Sequence, residues 1–273
     1  MKIPYGIAEE IGSRPSMEDA HAIWDEKELF SAEIYDGHGG SMGALLAAES
    51  LTPHFRTLLR SERSKSAGER TSDGELLRTA YLAADQYICG RLTSSGTAAA
   101  TIHILEDRFL AANVGDSRVI IGTGAGVLQL TVDHKPGVPE ERARIEALGG
   151  RVISWDIPRV EGMLAMSRAL GDPELKPYVS PEPRVVEGLF AVENDFVVVA
   201  CDGVWDALTL DEVIATVREE KDPGRSAQKI AALALASGST DNVSVIVLDL
   251  RDHTRGLARH KMEILSVLDR ANQ

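Results

Sequence analysis

The pattern of hydrophobic and polar positions along this chain changes period several times, and each change marks a predicted element. Short runs of Val, Ile, Leu and Ala bounded by turn-forming residues are typical of strands. Residues 196–201 are apolar on both faces, which predicts a central strand covered on both sides. The predicted strands are residues 5–9, 21–24, 29–35, 98–105, 108–113, 118–122, 127–131, 152–154, 185–189, 196–201 and 243–250.

Longer stretches follow a helical period. Pro53 is expected to kink or split the first of them, because proline removes a helical hydrogen bond. The glycines at 149 and 150 give the third a clear C-terminal stop. The polar residues 61–72 predict a loop between the first two helices. The predicted helices are residues 41–59, 74–92, 139–148, 210–218, 223–236 and 261–271.

The order of these elements predicts the fold class. Strands come in consecutive hairpin-like sets and helices arrive in pairs, unlike the strict alternation of a doubly wound parallel sheet. The pattern therefore predicts an α+β fold, with antiparallel sheets and helix pairs on the outside. The 273 residues contain no internal repeat or low-complexity linker, so we expect one domain over 1–273, with a core of about 5–250.

Composition excludes several classes of function. The net charge of −13 and the absence of a Lys/Arg cluster argue against a general nucleic-acid binder and against anionic lipid surfaces. No apolar run approaches transmembrane length, and the N-terminus lacks a signal-peptide pattern. Cys89 and Cys201 make no disulfide framework. We therefore expect a cytoplasmic or nuclear protein in a reducing compartment.

Four acidic residues carry the main indication of chemistry. Glu18, Asp36, Asp202 and Asp241 lie at the ends of apolar runs, beside glycine, asparagine or another acid. One Asp-Gly pair alone is typical of a turn. Four such carboxylates converging on one rim would instead form an all-oxygen site for hard divalent cations. This pattern predicts a metal-dependent hydrolase.

The sequence around Asp36 predicts how two cations would be shared. Asp36 would bridge both, and the carbonyl of Gly37 would bind one, since glycine lets the backbone approach a ligand. Asp202 and Asp241 would complete the first site, and Glu18 the second. Two such cations roughly 3.5–4 Å apart acidify a bridging water and clamp an anionic substrate.

Other residues are candidates for supporting roles, each with a structural alternative. His38 would protonate a leaving alkoxide as general acid, or serve as a structural donor. Arg14 would bind two phosphate oxygens, or lie on the surface. Asp116 and Asp206 are candidates for a weaker third cation, or turn caps. Asp172 is expected to be a supporting or structural acid.

Known nucleophile motifs are missing from the sequence. It contains no Cys-x5-Arg loop, no Gly-x-Ser-x-Gly and no Walker-type loop. Cys201 lies inside an apolar run and is expected to be a buried thiol. Water is therefore favoured as the nucleophile.

Eight ordered blocks resemble the metal-dependent serine/threonine protein phosphatases of the phosphatase 2C family. The resemblance implies a four-layer α-β-β-α sandwich and hydrolysis of phosphoserine and phosphothreonine in proteins with two Mn²⁺ or Mg²⁺ ions. It implies the ligand assignments given above, with Arg14 on the phosphate, His38 as general acid, and Asp116 with Asp202 and Asp206 at a third cation. The blocks are residues 14–20, 35–40, 95–99, 112–118, 133–136, 164–172, 200–206 and 241–247.

Residues 151–178 are similar to a subgroup, the plant phosphatases that act as abscisic-acid co-receptors. In those proteins a flap tryptophan inserts toward the hormone receptor, and Trp155 is in the matching place. Its indole is either a recognition anchor for a regulatory protein or a side chain packed under its own flap. Ile157 and Pro158 depart from the small-residue turn usual in that subgroup, and the chain lacks the subgroup's long N-terminal extension.

Three functions stay open at this point. The first is an active protein phosphatase, a monomer acting on phosphoproteins. The second is a pseudophosphatase whose fold only recognises a partner. The third is a hydrolase of small phosphate esters or nucleotides. The presence of Asp36, Asp202 and Asp241 favours a catalytic protein over a binding module.

Overall fold

The computed structural model describes residues 2–124 and 126–259. Two antiparallel sheets pack face to face, and helices cover the outer side of each. This arrangement confirms the predicted α+β class and the four-layer sandwich. The predicted helix 261–271 lies outside the described residues. Within the described ranges, no helix combines the length and the apolar character that a membrane crossing requires.

The first sheet joins the two ends of the chain. In spatial order its strands are β1 (Tyr5–Glu10), β13 (Val243–Asp249), β12 (Phe196–Ala200), β6 (Arg118–Thr123) and β7 (Gly126–Gln129). The last strand therefore lies between the first strand and β12, and both neighbours pair with it antiparallel.

The second sheet is built mainly from the N-terminal half. A two-residue strand, β10 (Leu170–Gly171), pairs with the start of β4. The sheet's main strands, in spatial order, are β11 (Arg184–Leu189), β5 (Arg108–Val114), β4 (Gly96–Leu105), β3 (Phe30–His38) and β2 (Ala20–Asp25).

Each sheet carries a pair of helices. α1 (Met42–Arg63) and α2 (Asp73–Cys89) cover the second sheet, while α5 (Leu210–Glu220) and α6 (Pro223–Ala236) cover the first. A single turn of helix, α4 (Asp202–Trp205), follows β12 directly.

The expectation that Pro53 splits the first helix is wrong, because α1 runs through it without a break. Leu51, Phe55 and Leu59 of this helix are buried in the core between α1, α2 and the second sheet. We infer that this packing offsets the hydrogen bond that proline cannot donate.

Alternation along β3 places the first candidate residue. Phe30, Ala32 and Ile34 pack in the apolar layer between the sheets, whereas Tyr35 packs toward the helices. Because strand side chains alternate, Asp36 continues the inner face at the end of that layer. The inner face of β12 ends similarly, at the fully buried Cys201.

A smaller unit, the flap (residues 137–162), extends from the sandwich. It contains α3 (Pro139–Ala147) and a hairpin of β8 (Val152–Ser154) and β9 (Pro158–Val160). Sequence analysis predicted α3 and β8 but not β9. The flap packs on a small apolar cluster of its own, which includes Ile145 and Val160.

Candidate active site

Three carboxylates from distant parts of the chain meet at one edge of the sandwich. Asp36 lies at the end of β3, Asp116 follows β5, and Asp202 begins α4. One ligand oxygen from each lies within 4.8 Å of the other two. The folding of the two sheets, not local sequence, brings them together. An oxygen cluster of this size fits one or more hard cations.

The electrostatics of this cluster favour a cation. Burial, followed by the negative charges of Asp116, Asp206 and Asp241, raises the pKa of Asp202 to about 7. Burial and the charge of Asp202 also raise the pKa of Asp36 well above its ordinary value. Ionised carboxylates repel one another here, and a divalent cation would relieve that repulsion. The residues present therefore fit the predicted metal centre.

Lys135 brings a positive charge into the same cluster. Its ammonium donates to Oδ2 of Asp116, which is only 3% exposed, while Oδ1 of Asp116 is buried without a hydrogen-bond partner among the described residues. Arg118 holds the neighbouring Asp133 through two hydrogen bonds of 2.8 and 2.7 Å. Sequence analysis noted the block 133–136 but gave Lys135 no role.

Glu18 lies beside the end of β3. A Cβ on Gly37 would lie 2.1 Å from the carbonyl oxygen of Glu18, so glycine is what permits this close approach. The Glu18 carboxylate accepts hydrogen bonds from the Gly40 amide, at 3.0 Å, and from the Ser16 hydroxyl, at 3.3 Å. Its own amide donates to Oδ1 of Asn242 at 2.8 Å, which ties it to the segment carrying Asp241.

Asp241 lies near Asp202. Asp202, Asp206 and Asp241 line one pocket together with residues 237–240. The Arg14 guanidinium donates to Oδ2 of Asp241 at 2.6 Å, and both side chains are partly exposed. The structure thus brings the predicted phosphate clamp to a predicted metal ligand.

His38 does not stand free at the site. Its Nε2 lies 2.8 Å from both carboxylate oxygens of Asp172. Asp172 is 4% exposed, so it is a buried partner of the histidine.

Trp155 lies at the turn between β8 and β9, and its side chain is 82% exposed. The alternative in which it packs under its own flap is therefore wrong. Ile157 and Met163, 46% and 59% exposed, are apolar residues of the same surface region.

Sequence analysis also missed Asp19. This residue is buried, accepts a hydrogen bond from the Ser244 hydroxyl at 2.7 Å, and has its pKa raised to about 6, chiefly by burial. Its place next to Glu18 in an acidic pair was a visible signal, but its contact with Ser244 joins the segment before β2 in the second sheet to β13 in the first, which no local pattern indicates.

Comparison with known proteins gives a family match over most of the chain. The family model described as Protein phosphatase 2C matches residues 4–243. The chain is 35% identical over 255 residues to Probable protein phosphatase 2C 71 of Arabidopsis thaliana, covering 90% of this chain and 55% of that protein. It is 35% identical to Probable protein phosphatase 2C 59 of Oryza sativa subsp. japonica, covering 90% of this chain and 76% of that protein.

Solved structures show the same fold. A sex-determining protein of C. elegans superposes with a TM-score of 0.85 at 25% identity, covering 93% of this chain and 67% of that one. A serine-threonine phosphatase 2C from Toxoplasma gondii superposes with a TM-score of 0.79 at 21% identity, covering 90% and 94%.

Proposed function

The chain belongs to the protein phosphatase 2C family of metal-dependent serine/threonine protein phosphatases, and from this premise we propose that its acidic cleft hydrolyses phosphoserine and phosphothreonine in protein substrates. The observation that carries the proposal is the approach of Asp36, Asp116 and Asp202 within 4.8 Å in a partly buried, mutually repelling group. Such a group is costly unless a cation joins it.

Two Mn²⁺ or Mg²⁺ ions are part of this proposal, since both accept oxygen ligands. Asp36, Asp202 and Asp241 would hold the first ion. Glu18, Asp36 and the carbonyl of Gly37 would hold the second. The close approach of Gly37 to Glu18 and the effect of Asp241 on the pKa of Asp202 support these groupings.

A third ion would bind more weakly, at Asp116 and Asp206. Asp206 is exposed at the end of α4, and Asp116 already pairs with Lys135. A third divalent cation would therefore compete with an ammonium group of the chain itself.

The ions supply charge neutralisation and a water of lowered pKa when they are bound. The chain supplies the rest. Arg14, half-exposed at the rim, would bind two phosphate oxygens with its guanidinium. His38 would hold the proton for the leaving serine or threonine oxygen. Cys201 takes no part, because it is fully buried and burial raises the pKa of its thiol.

The partner side of the proposal concerns the flap. An exposed tryptophan in an apolar surface region is typical of a binding hot spot. The exposure of Trp155, Ile157 and Met163 supports a regulatory protein docking there.

We take a monomer as the active unit, because one chain provides every proposed ligand. The free thiols of Cys89 and Cys201 support a cytoplasmic or nuclear location.

The test is phosphate release from a phosphothreonine peptide, with and without Mn²⁺, with EDTA and okadaic acid as controls. We expect release that requires Mn²⁺, stops with EDTA and continues with okadaic acid. No release from a folded, Mn²⁺-loaded sample would favour a binding module. A higher kcat/KM on an aryl phosphate or nucleotide than on the peptide would favour a small-ester hydrolase.

A further inference from the structure

The carboxylate of Asp172 contacts the imidazole of His38 through one ring nitrogen. Both of its oxygens lie 2.8 Å from Nε2, and its side chain is 4% exposed against 22% for the histidine. The two residues are 134 positions apart in the sequence. A buried acid held this closely to one nitrogen restricts both the position and the tautomer of the ring.

The backbone around Asp172 is shaped for this contact. Asp172 has a φ of +52°, a left-handed conformation that is uncommon for a residue other than glycine. Its amide donates to the carbonyl of Ser95 at 3.2 Å. A Cβ on Gly96 would lie 2.2 Å from Oδ2 of Asp172, so the carboxylate fills space that only glycine leaves open. A locally unfavourable conformation that persists is a pointer to a functional constraint.

Ser95 and Gly96, the first residue of β4, also hold the histidine. His38 pairs with Gly96 across β3 and β4, and its carbonyl accepts a hydrogen bond of 3.1 Å from the Ser95 hydroxyl. Ser95 and Gly96 thus fix both members of the pair. Nδ1 of His38 is buried and has no hydrogen-bond partner in the described part of the chain. Among the described residues, Nε2 of the ring is therefore hydrogen-bonded and Nδ1 is not.

We propose that Asp172 is the positioning residue of His38, accepting Nε2–H so that Nδ1 is the nitrogen that serves the leaving oxygen. The inference rests on the proposed function, in which His38 is the general acid. In this step the ring is the imidazolium: as the bond from phosphorus to the substrate oxygen breaks, its electron pair goes to that oxygen, which takes the Nδ1 proton and leaves the ring neutral with its proton on Nε2. The oxygen of water forms the new bond to phosphorus, and a proton of that water can restore the ring.

The dependence on the leaving group separates this role from a structural one. A serine or threonine alkoxide needs a proton, whereas p-nitrophenolate leaves readily without one. We expect Asp172→Asn to lower kcat on a phosphothreonine peptide about 10²-fold, with KM little changed. On p-nitrophenyl phosphate at the same saturating Mn²⁺, the loss in kcat should be at least about tenfold smaller.

Three further variants make the test sharp. His38→Gln should show the same dependence on the leaving group, and the double variant should lose no more activity than His38→Gln alone.

Asp85→Asn is the matched control: Asp85 accepts a hydrogen bond from the amide of Gly171, next to Asp172, without touching His38. A disturbance of the segment as a whole would lower activity equally on both substrates. Asp172→Ser replaces Asp172→Asn should the latter fail to fold by circular dichroism.

Two outcomes overturn the proposal, and they are distinguishable. If His38→Gln depends on the leaving group but Asp172→Asn does not, the role of Asp172 is wrong and the proposed function stands. If His38→Gln lowers both activities equally, His38 is not the general acid, and both assignments fail. If the free-energy losses in kcat of the two single variants add up in the double variant, Asp172 does not act through His38.

Discussion

At the scale of residues, the site is organised by which cationic group meets which carboxylate. Lys135 pairs with Asp116 and Arg14 pairs with Asp241. The carboxylates at Asp36 and Asp202 have raised pKa values, first because they are buried. The chain itself therefore partly neutralises Asp116 and Asp241 and leaves Asp36 and Asp202 to divalent cations.

Asp202 is the most direct test of that centre. Asp202→Asn removes one charge and one ligand oxygen, so the first ion should bind more weakly and phosphopeptide turnover should fall at least about 10²-fold. Calorimetric Mn²⁺ titration and phosphate release measure the two effects. Asp211→Asn, at an exposed position in α5, is the control and should change neither. Wild-type activity of Asp202→Asn at low Mn²⁺ would contradict the ligand assignment.

Lys135 offers a second residue-scale prediction. In EDTA, Lys135→Met should lower the free energy of unfolding by about 1–2 kcal/mol, because the buried carboxylate of Asp116 loses its cationic partner. The effect stays modest because Lys135 is partly exposed, so water already weakens the ion pair. Saturating Mn²⁺ should narrow the difference, since a cation then neutralises the same carboxylate. Urea unfolding in both conditions measures this. If the difference in unfolding free energy between wild type and Lys135→Met is the same with and without Mn²⁺, Lys135 and the cation do not neutralise the same carboxylate.

Sequence indicated candidate acidic residues, but not which of them would meet. Asp36 was a candidate because it ends the apolar run 30–35 and precedes Gly37. The meeting of Asp36 with Asp116 was not, since it depends on how the two sheets pack. The pairing of His38 with Asp172 spans 134 residues and depends on the register of β4 with both β3 and β10. Local pattern carries no information about such a register.

At the scale of elements, an ion network ties the flap helix α3 to the chain that follows it. Glu141 accepts from Nε of Arg168 at 3.0 Å and from Nη2 of Arg144 at 2.9 Å. Arg144 also donates to the carbonyls of Ser167 and Tyr178. Burial alone would raise the pKa of Glu141, but hydrogen bonds from Arg168 and Arg144 outweigh it and lower that pKa to about 2.

The depressed pKa predicts a pH dependence of stability. Glu141 is ordinarily half-ionised at 4.5, so its contribution is fully present above that pH and is lost as the pH falls toward about 2. Glu141→Gln should lower the free energy of unfolding by about 3 kcal/mol at neutral pH. The gap to wild type should shrink steadily below pH 4.5. Urea unfolding between pH 7 and pH 3 tests this. A difference in unfolding free energy between wild type and Glu141→Gln that does not change with pH would contradict it.

The β8–β9 hairpin should act separately from the cleft. Trp155→Ala removes an exposed side chain, so kcat on p-nitrophenyl phosphate should stay within about twofold of wild type, and KM for phosphorylated casein should rise several-fold if proteins dock there. Leu189→Ala, at another exposed apolar position, 71% exposed on β11, is the control. Equal losses on both substrates would assign Trp155 a structural role.

At the scale of the whole molecule, the net charge of −13 acts on every substrate. A negative field disfavours the approach of an anionic phosphopeptide, and salt screens it. We expect an arginine-flanked phosphothreonine peptide to show a higher kcat/KM than an aspartate-flanked one at low salt. The ratio should fall toward one at 0.5 M NaCl. A ratio independent of salt would point to local contacts instead of the overall field.

The architecture itself was largely predictable, and its connectivity was not. Runs of strands and paired helices indicated antiparallel sheets with outer helices, and the structure confirms this. Nothing in local pattern indicates that β1 pairs with β13, joining Tyr5 to Leu248. Such a contact requires closing almost the entire chain, and its energy depends on partners that no short window of sequence contains.

The interior place of β13, between β1 and β12, has a consequence for biosynthesis. While a ribosome is still adding residues before 243, β1 and β12 have no strand between them, and the segment carrying Asp241 has no fixed place. The nascent protein can assemble the second sheet with α1 and α2 early, but the first sheet closes only near the end of translation. Prematurely terminated products should therefore lack both a complete sandwich and phosphatase activity.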